Sequence, residues 1–191
     1  MIRFPIGNSG QDLVFTKEVL THLESHRQLR FWQSEAGGLL FARLIDSDVV
    51  VEVATGPRKT DRRTRWTYRP DRSAEQQEID DLHPQGLLFV GTWHSHPEPV
   101  PTPSSVDLHS LAESFSMSQH HLNAFVLAII GQRPVPTGLC VVLGDGYRVI
   151  PLENENLGAT NEAQIMEQSL VKFVYSESNP DYSLDLGCRT V

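Results

Sequence analysis

The apolar residues of the chain recur at two spacings, which predict both helices and strands. Val19, Leu20 and Leu23 share one helical face, and Thr16 can cap that helix at its start. Start signals predict two further helices, one opening with the capping-box spacing of Ser73-Ala74-Glu75-Gln76 and ending before Pro84, and one running from Ser104 to about Ser118.

Short apolar runs bounded by turn residues predict a sheet. Asp46-Ser47-Asp48 separates two of these runs as a hairpin turn would, and Gly144-Asp145-Gly146 separates two others. The predicted strands are 38–45, 49–54, 86–93, 123–130, 139–143 and 147–152. Because helices and strands are interspersed, we expect an α/β fold with a central mixed sheet flanked by helices in a single domain.

The chain becomes polar and acidic from Glu153 onward. We predict a helix from about Glu162 to Val174, followed by a loose tail. The expected organisation is therefore a domain at residues 1–152 and an acidic C-terminal extension at residues 153–191.

Composition favours an ordinary globular protein, with 39% apolar and 21% charged residues. No apolar run approaches the roughly 20 residues of a membrane helix, and residues 1–8 lack the pattern of a signal peptide. Cys140 and Cys188 lie far apart and indicate no disulfide framework; Cys140 is expected to be a buried, inert thiol. These features predict a cytoplasmic protein with no membrane association.

The net charge of −8 argues against general affinity for nucleic acid. However, seven of the 16 basic residues lie between Arg58 and Arg72, together with Trp66 and Tyr68. This basic stretch fits a solvated loop. It equally fits a contact surface for an acidic or carboxylate-bearing partner, because guanidinium groups bind carboxylates bidentately and aromatic residues anchor interfaces. RNA binding is a third, weaker interpretation.

The segment around His94 and His96 has the pattern of a metal site. Side chains two residues apart on a strand lie on one face, so both imidazoles can reach one ion. Asp107 lies one turn into the next helix, and the proline-rich loop 97–103 can bring that turn back to the strand end. Two imidazoles and one carboxylate leave one coordination position open, as in catalytic zinc sites. A water bound at that position has a pKa of about 7.

Each half of this pattern also has a purely structural interpretation. A His-x-His sequence is common without metal, and Ser104-Ser105-Val106-Asp107 is an ordinary helix start. Their combination across a short rigid loop favours the metal. The other histidines make poor chelating sets: His120 and His121 diverge, and His22 and His26 lack carboxylate neighbours and are expected to be exposed.

The compound pattern resembles the JAMM motif of the JAB/MPN family of metallopeptidases. That motif is an upstream Glu, then His-x-His, seven residues, Ser, two residues and Asp. His94-Ser95-His96, the seven residues 97–103, Ser104 and Asp107 fit this spacing, and Ser34 to Leu40 is similar to the family's Glu-x-x-Gly-x-Leu segment. The resemblance covers roughly residues 13–150 and implies a JAB/MPN domain, which has a cytidine-deaminase-like fold.

The resemblance also implies a role for each matching residue. His94, His96 and Asp107 would bind one Zn²⁺ per chain. Glu35 would act as general base and then as general acid. Ser104 would donate a hydrogen bond to the oxyanion of the tetrahedral intermediate, a role that competes with capping its helix.

Family members commonly cleave the amide bond after the C-terminus of ubiquitin or a ubiquitin-like protein, often an isopeptide bond. The compact bacterial members, which this chain resembles in length and in its basic stretch, include enzymes of antiphage operons (CBASS and related systems). These operons also encode E1- and E2-like enzymes, and the peptidases are thought to release a conjugated partner such as a cyclic-nucleotide synthase. The resemblance implies that role here, with the basic stretch gripping an extended C-terminal tail alongside a strand edge.

Three alternatives have different requirements. The same chemistry could process a sulfur-carrier protein or a small peptide. A metal-free MPN scaffold would only hold partners together, but such members lose ligands or the glutamate, and every motif position is present here. A nucleobase deaminase needs His-x-Glu and Pro-Cys-x-x-Cys elements, and the chain has neither.

Overall fold

A computed structural model of the protein describes residues 1–154. The predicted helix at 162–174, and the predicted extension beyond Asn154, lie outside the described residues. Among residues 1–154, no helix has both the length and the apolar character needed to cross a membrane.

The helices and strands of residues 1–154 follow the predicted order with additions. The strands are β1 (Ile2–Pro5), β2 (Asp12–Phe15), β3 (Gly37–Ile45), β4 (Asp48–Ala54), β5 (Arg62–Arg63), β6 (Tyr68–Arg69), β7 (Leu88–Ser95), β8 (Phe125–Ile130), β9 (Leu139–Gly144) and β10 (Val149–Pro151). The helices are α1 (Lys17–Ser25), α2 (Arg72–Leu82) and α3 (Ser105–Met117), and a short 3₁₀ helix (His83–Gln85) follows α2.

Eight of these strands form one mixed sheet in the order β1-β2-β4-β3-β7-β8-β9-β10. The pairs β2–β4 and β7–β8 are parallel, and the other neighbours are antiparallel. Strands β5 and β6 form a separate small hairpin. The prediction of a central mixed sheet is confirmed.

Both faces of the sheet carry apolar side chains, so helices cover both. Leu40 and Ala42 of β3 belong to the main core, which includes residues of α1 and α3. The alternate residues Leu39 and Phe41 pack on the opposite face with Ile79 of α2. This alternation explains why β3 is apolar at consecutive positions, and it confirms that helices flank the sheet.

The helix starts agree with two of the three predicted caps. The Thr16 hydroxyl accepts from the Val19 N–H at 3.4 Å, and Ser104 caps α3 in a capping box with Asp107. The prediction for α2 is wrong, because Asp71 caps it: its carboxylate accepts from the N–H groups of Ser73 and Ala74. A carboxylate at the helix start also interacts favourably with the helix dipole.

The N-terminal strands β1 and β2 were not predicted. Each has only four residues, and Phe4, Leu13 and Phe15 are buried because β2 pairs with the distant strand β4. Such short strands gain their stability from tertiary pairing, which a local pattern does not reveal. Cys140, expected to be buried, is a half-buried free thiol.

Gly91 in β7 is predicted to be essential for packing β7 against β8. Its φ is +148°, and a Cβ there would lie 2.0 Å from the Val126 carbonyl oxygen. We expect Gly91→Ala to lower the free energy of unfolding by about 3 kcal/mol, measured by urea denaturation. Gly10→Ala is the matched control: φ is +73° with nothing within 4 Å of the added Cβ, so only backbone strain of about 1 kcal/mol is expected. Equal losses would contradict the steric explanation.

Candidate metal centre

The pairing of β3 with β7 brings Glu35 to the end of β7. Gly37 lies opposite His94 in the antiparallel register, and the Ser95 N–H donates to the Ala36 carbonyl at 2.8 Å. Glu35 therefore stands beside two residues that lie about 60 positions further along the chain. The Glu35 N–H donates to the Thr64 carbonyl at 2.7 Å, which ties the Glu35 backbone to the turn between β5 and β6.

The two predicted histidine ligands lie side by side. The Nε2 atoms of His94 and His96 are 3.0 Å apart, and the rings tilt at 49° with centroids 4.8 Å apart. His96 lies just beyond β7, where its N–H donates to the Ile130 carbonyl of β8 at 2.9 Å. Both imidazoles thus face the same point at the strand end, as the His-x-His spacing predicts.

Asp107 approaches both rings from the first turn of α3. Its Oδ1 lies 3.3 Å from His94 Nε2, and its Oδ2 lies 3.5 Å from His96 Nε2. The loop that returns the chain to this point is held by backbone hydrogen bonds from Gln132 to Glu98 and from Arg133 to Pro99. The structure therefore brings together the three residues that the sequence assigned to the metal.

The donor set fits a zinc ion. Burial and the neighbouring His94 lower the pKa of His96, which favours the neutral imidazole that a metal needs. Burial alone would raise the pKa of Asp107, but hydrogen bonds involving His94 and Ser104 outweigh it and leave this pKa well below its usual value. The Nδ1 atom of His96 is buried and has no hydrogen-bond partner within residues 1–154. Imidazole nitrogens and an ionised carboxylate are ligands that zinc accepts.

Glu35 lies close enough to be either a base or a ligand. A carboxylate oxygen of Glu35 and one ring nitrogen each of His94 and His96 lie within 4.8 Å of one another. Burial raises the Glu35 pKa to about 7, an effect that nearby Asp107 reinforces and His94 opposes. A carboxyl with a pKa near neutrality suits proton transfer, because it can both accept and release a proton.

The Ser104 hydroxyl acts as a helix cap in this structure. It accepts from the Asp107 N–H at 3.2 Å and donates to Asp107 Oδ2 at 2.7 Å. The Ser104 N–H donates to the same oxygen at 2.7 Å. Ser104 thereby orients the carboxylate of Asp107 toward the histidines, while its role at an oxyanion stays a prediction.

Comparison with known proteins places these residues in a family. A family model described as prokaryotic homologs of the JAB domain matches residues 16–141. The chain belongs to this family. Its resemblance to JAB proteins, first drawn from the spacing of the motif, is confirmed.

Curated relatives of this JAB protein are named CD-NTase/cGAS isopeptidase. One from Escherichia coli (strain TW11681) is 28% identical over 136 residues, covering 70% of this chain and 85% of the relative. One from Pseudomonas aeruginosa (strain BWHPSA011 / Pa011) is 30% identical over 146 residues, covering 74% and 90%. The solution structure of a Desulfitobacterium hafniense protein supports the fold, with a TM-score of 0.52 and 23% identity over 73% of this chain and 88% of that one.

The buried side-chain amide of Gln28 is hydrogen-bonded to Ser95, which lies between the two histidines of the JAB site. Gln28 is 0% exposed, and its Nε2 donates to the carbonyls of Gln33 at 3.2 Å and Arg65 at 2.9 Å. Its Oε1 accepts from the Ser95 hydroxyl at 3.2 Å, and that hydroxyl accepts from the Ala36 N–H at 3.0 Å. Gln28 thus links the residue between the two histidines to the segment that carries Glu35.

No local signal in the sequence identifies Gln28, whereas Ser95 had one. Because His94 and His96 face the site, Ser95 must point to the opposite, buried side of the strand, where a hydroxyl needs a partner. The partner itself lies 67 residues earlier in the chain.

The basic stretch of the JAB domain divides into internal and exposed residues. Arg58 is nearly buried, with ion pairs to Glu75 and Glu78 of α2 and a 4.0 Å approach to Asp61. It therefore anchors the stretch to α2 and is not part of a contact surface. Arg62, Arg63 and Arg69 are exposed on the β5–β6 hairpin, which replaces the predicted loop.

His22 and His26 are half-buried, so the prediction that they are exposed is wrong. Their ring centroids lie 5.3 and 5.4 Å from that of Trp93, the residue that precedes His94. Burial is the main reason that the pKa of His22 is lowered. The two imidazoles, at the C-terminal end of α1, pack against the Trp93 indole. The i, i+4 spacing alone does not reveal this packing.

Replacing Gln28 by leucine should weaken the site without changing any predicted ligand. The Ser95 hydroxyl and two carbonyls would lose their partner, so we expect a loss of about 2–4 kcal/mol in unfolding free energy. Zinc affinity should fall about 10- to 100-fold, measured by competition with a chelating dye. Gln77→Leu, at an exposed position of α2, is the matched control. Unchanged zinc affinity in a folded Gln28→Leu protein would refute the linking role.

The raised pKa of Glu35 predicts a pH-dependent stability in metal-free protein. Above pH 7 the folded chain must hold a buried carboxylate, whereas the unfolded chain exposes it with a pKa near 4.5. Ionisation therefore costs stability, and Glu35→Gln should raise the Tm at pH 8. The gain should shrink as the pH falls from about 7 to 4.5. Thermal melts in EDTA at several pH values measure this difference in Tm, and Glu113→Gln, at an exposed position, is the control. A gain in Tm that did not depend on pH would contradict the raised pKa of Glu35.

Proposed function

We propose that this JAB protein is a zinc-dependent isopeptidase that releases a conjugated protein from its target. The observation that carries the proposal is the convergence of His94, His96 and Asp107 beside Glu35 at the end of β7. The names of the curated relatives support the class of reaction, because an isopeptidase hydrolyses an amide bond. The ligand set and the roles of the individual residues are part of the proposal.

His94, His96 and Asp107 would hold the zinc, which when bound supplies Lewis acidity that polarises the scissile carbonyl and acidifies water. Glu35 then takes a proton from the attacking water and returns it to the leaving amine. Hydrogen bonds from the backbone N–H groups of Glu35 and Ala36 hold this segment of the backbone in place beside the histidines before substrate arrives.

Ser104 has a second role in this mechanism. Its hydroxyl donates to Asp107 Oδ2 in the structure. Rotation of the hydroxyl hydrogen toward the substrate would let Ser104 stabilise the oxyanion. The Ser104 N–H continues to donate to the carboxylate, so Asp107 keeps one of its two hydrogen bonds from this residue.

The names of the relatives support a proposal for the substrate class. We propose that the released protein is a cyclic-nucleotide synthase, or a similarly conjugated ubiquitin-like protein, whose C-terminal carbonyl is joined to an amine. E1- and E2-like enzymes would form that bond, and the setting would be cytoplasmic antiphage defence. No specific feature of residues 1–154 favours a sulfur carrier or a non-catalytic scaffold over this reaction.

Two carboxylate variants test the assignment of ligand and base. We expect about one zinc per chain in the wild type and in Glu35→Gln, which should lose about 100- to 10,000-fold in cleavage rate because it lacks the base. Asp107→Asn should lose the zinc itself. Zinc is measured by mass spectrometry of purified protein. Cleavage is measured on the proposed substrate, a cyclic-nucleotide synthase (CD-NTase) that carries green fluorescent protein on its C-terminus.

Glu113→Gln, on the exposed side of α3, controls for loss of a carboxylate. If Glu35→Gln lost the zinc while Asp107→Asn retained it, the ligand set would be His94, His96 and Glu35. A wild-type protein that cut no fusion after zinc loading would reject the proposed reaction for that substrate.

A further inference from the structure

Several large apolar side chains are exposed in the segment that precedes Glu35 and on the β5–β6 hairpin, which contacts Glu35. Phe31 and Trp32 are 76% and 62% exposed, and Trp66 at the tip of the β5–β6 hairpin is 70% exposed. Leu29 adds a further 57% exposed side chain. Exposed aromatic residues at this density mark interaction sites, because leaving them in water is unfavourable.

The two segments that carry these aromatics are joined by hydrogen bonds. The Gln28 amide donates to the Arg65 carbonyl at 2.9 Å, and Arg65 Nη1 donates to the Arg30 carbonyl at 3.0 Å. We call Arg30, Phe31, Trp32, Arg65 and Trp66 the aromatic–arginine surface. The fully buried Gln28 side chain and these hydrogen bonds hold the backbones of the two segments together.

The charge of this surface is opposite to that of the whole chain. Arg30 lies over the Trp32 ring at 5.3 Å and Arg65 over the Trp66 ring at 5.1 Å, so guanidinium groups cover both indoles. Arg62 and Arg69 lie opposite one another in the antiparallel register of the β5–β6 hairpin. Within residues 1–154 none of these four arginines forms an ion pair, although the chain carries a net charge of −8.

The surface also begins at the catalytic centre. Glu35 donates its N–H to Thr64, two residues before Trp66, and Arg63 Nη1 donates to the Glu35 carbonyl at 3.4 Å. An extended peptide spans about 3.3 Å per residue. A tail of four or five residues that reaches the site therefore leaves the folded body of its protein within about 15 Å of Glu35. The aromatic–arginine surface adjoins Glu35 through Thr64, so it is available to that folded body.

We propose that the aromatic–arginine surface binds the folded body of the conjugated protein through an acidic patch with an apolar centre. This proposal rests on the proposed function, because it concerns the protein whose C-terminus enters the site. The arginines supply carboxylate contacts and the aromatics supply buried area, which is the composition of interface hot spots. The surface thus selects the substrate by its body, while the metal centre acts on its tail.

Two other occupants fit the surface less well. Single-stranded nucleic acid stacks on aromatics and pairs with arginines, but the net charge of −8 repels a polyanion along the rest of the protein. A second copy of the chain would bring the same positive surface against itself in a two-fold contact. A negatively charged patch on a different protein meets neither difficulty.

The test compares two substrates that share one tail. One is a CD-NTase from the same genome fused at its C-terminus to green fluorescent protein, and the other is its last ten residues linked to a fluorophore by an amide. We expect Trp66→Ala and Phe31→Ala to raise KM for the fusion about tenfold relative to KM for the peptide. Arg62→Glu should do the same, and added salt should raise KM for the fusion with the wild type.

Matched controls come from the turn between β9 and β10. Tyr147→Ala removes an aromatic that is 98% exposed, and Arg148→Glu reverses an exposed charge. Both should leave the ratio of the two KM values at the wild-type value. A ratio unchanged by Trp66→Ala and Phe31→Ala would overturn the proposal.

A binding measurement separates this proposal from the proposed reaction. The zinc-loaded Glu35→Gln protein is titrated with the uncleaved fusion, with and without Trp66→Ala. An about tenfold weaker Kd supports the surface even if the wild type cuts nothing, whereas equal Kd values or no binding overturn it. Sedimentation that reveals a wild-type dimer, lost in Trp66→Ala, would identify a second copy as the occupant. Binding of a labelled RNA 20-mer by the wild type, lost in Trp66→Ala, would identify nucleic acid as the occupant. Either result overturns the proposal.

Discussion

The antiparallel pairing of β3 with β7 is the constraint on which the site depends. It places Gly37 opposite His94, and the reciprocal contacts between Ala36 and Ser95 close the pair at the end of the sheet. Because side chains alternate along a strand, a shift of one residue would turn the histidines into the core and Ser95 into the site. The register therefore fixes which side chains face the candidate metal centre and how close Glu35 lies to them.

The buried polar residues behind the sheet end make this register specific. Ser95 and Gln28 are fully buried and satisfy one another, together with carbonyls from two separate loops. A buried polar group without a partner costs about 1–3 kcal/mol, so competing registers that separate these groups are penalised. The same contacts connect the proposed metal ligands to the hairpin tip, which means that the site and the aromatic–arginine surface share one scaffold.

The arginines of the basic stretch serve two distinct purposes. Arg58 is enclosed by Glu75 and Glu78, and this ion-pair cluster fastens the stretch to α2. Removing Arg58 would take away the cation that the nearly buried Glu75 shares with Glu78, which is destabilising. Arg62 and Arg69 remain in solvent on the hairpin. An acidic protein thereby presents positive charge beside its site, while part of the basic sequence is used internally.

The sequence by itself determined the family, the mixed sheet with flanking helices, and the set of residues that converge at the candidate metal centre. It could do so because the His-x-His period, the Ser104 cap and the motif spacing are local properties of the chain. Tertiary structure alone decided the role of Gln28, the internal position of Arg58, the packing of His22 and His26 on Trp93, and the strands β1 and β2. Each of these depends on a partner that is distant in sequence, and local periodicity carries no information about which distant residue will satisfy a buried group.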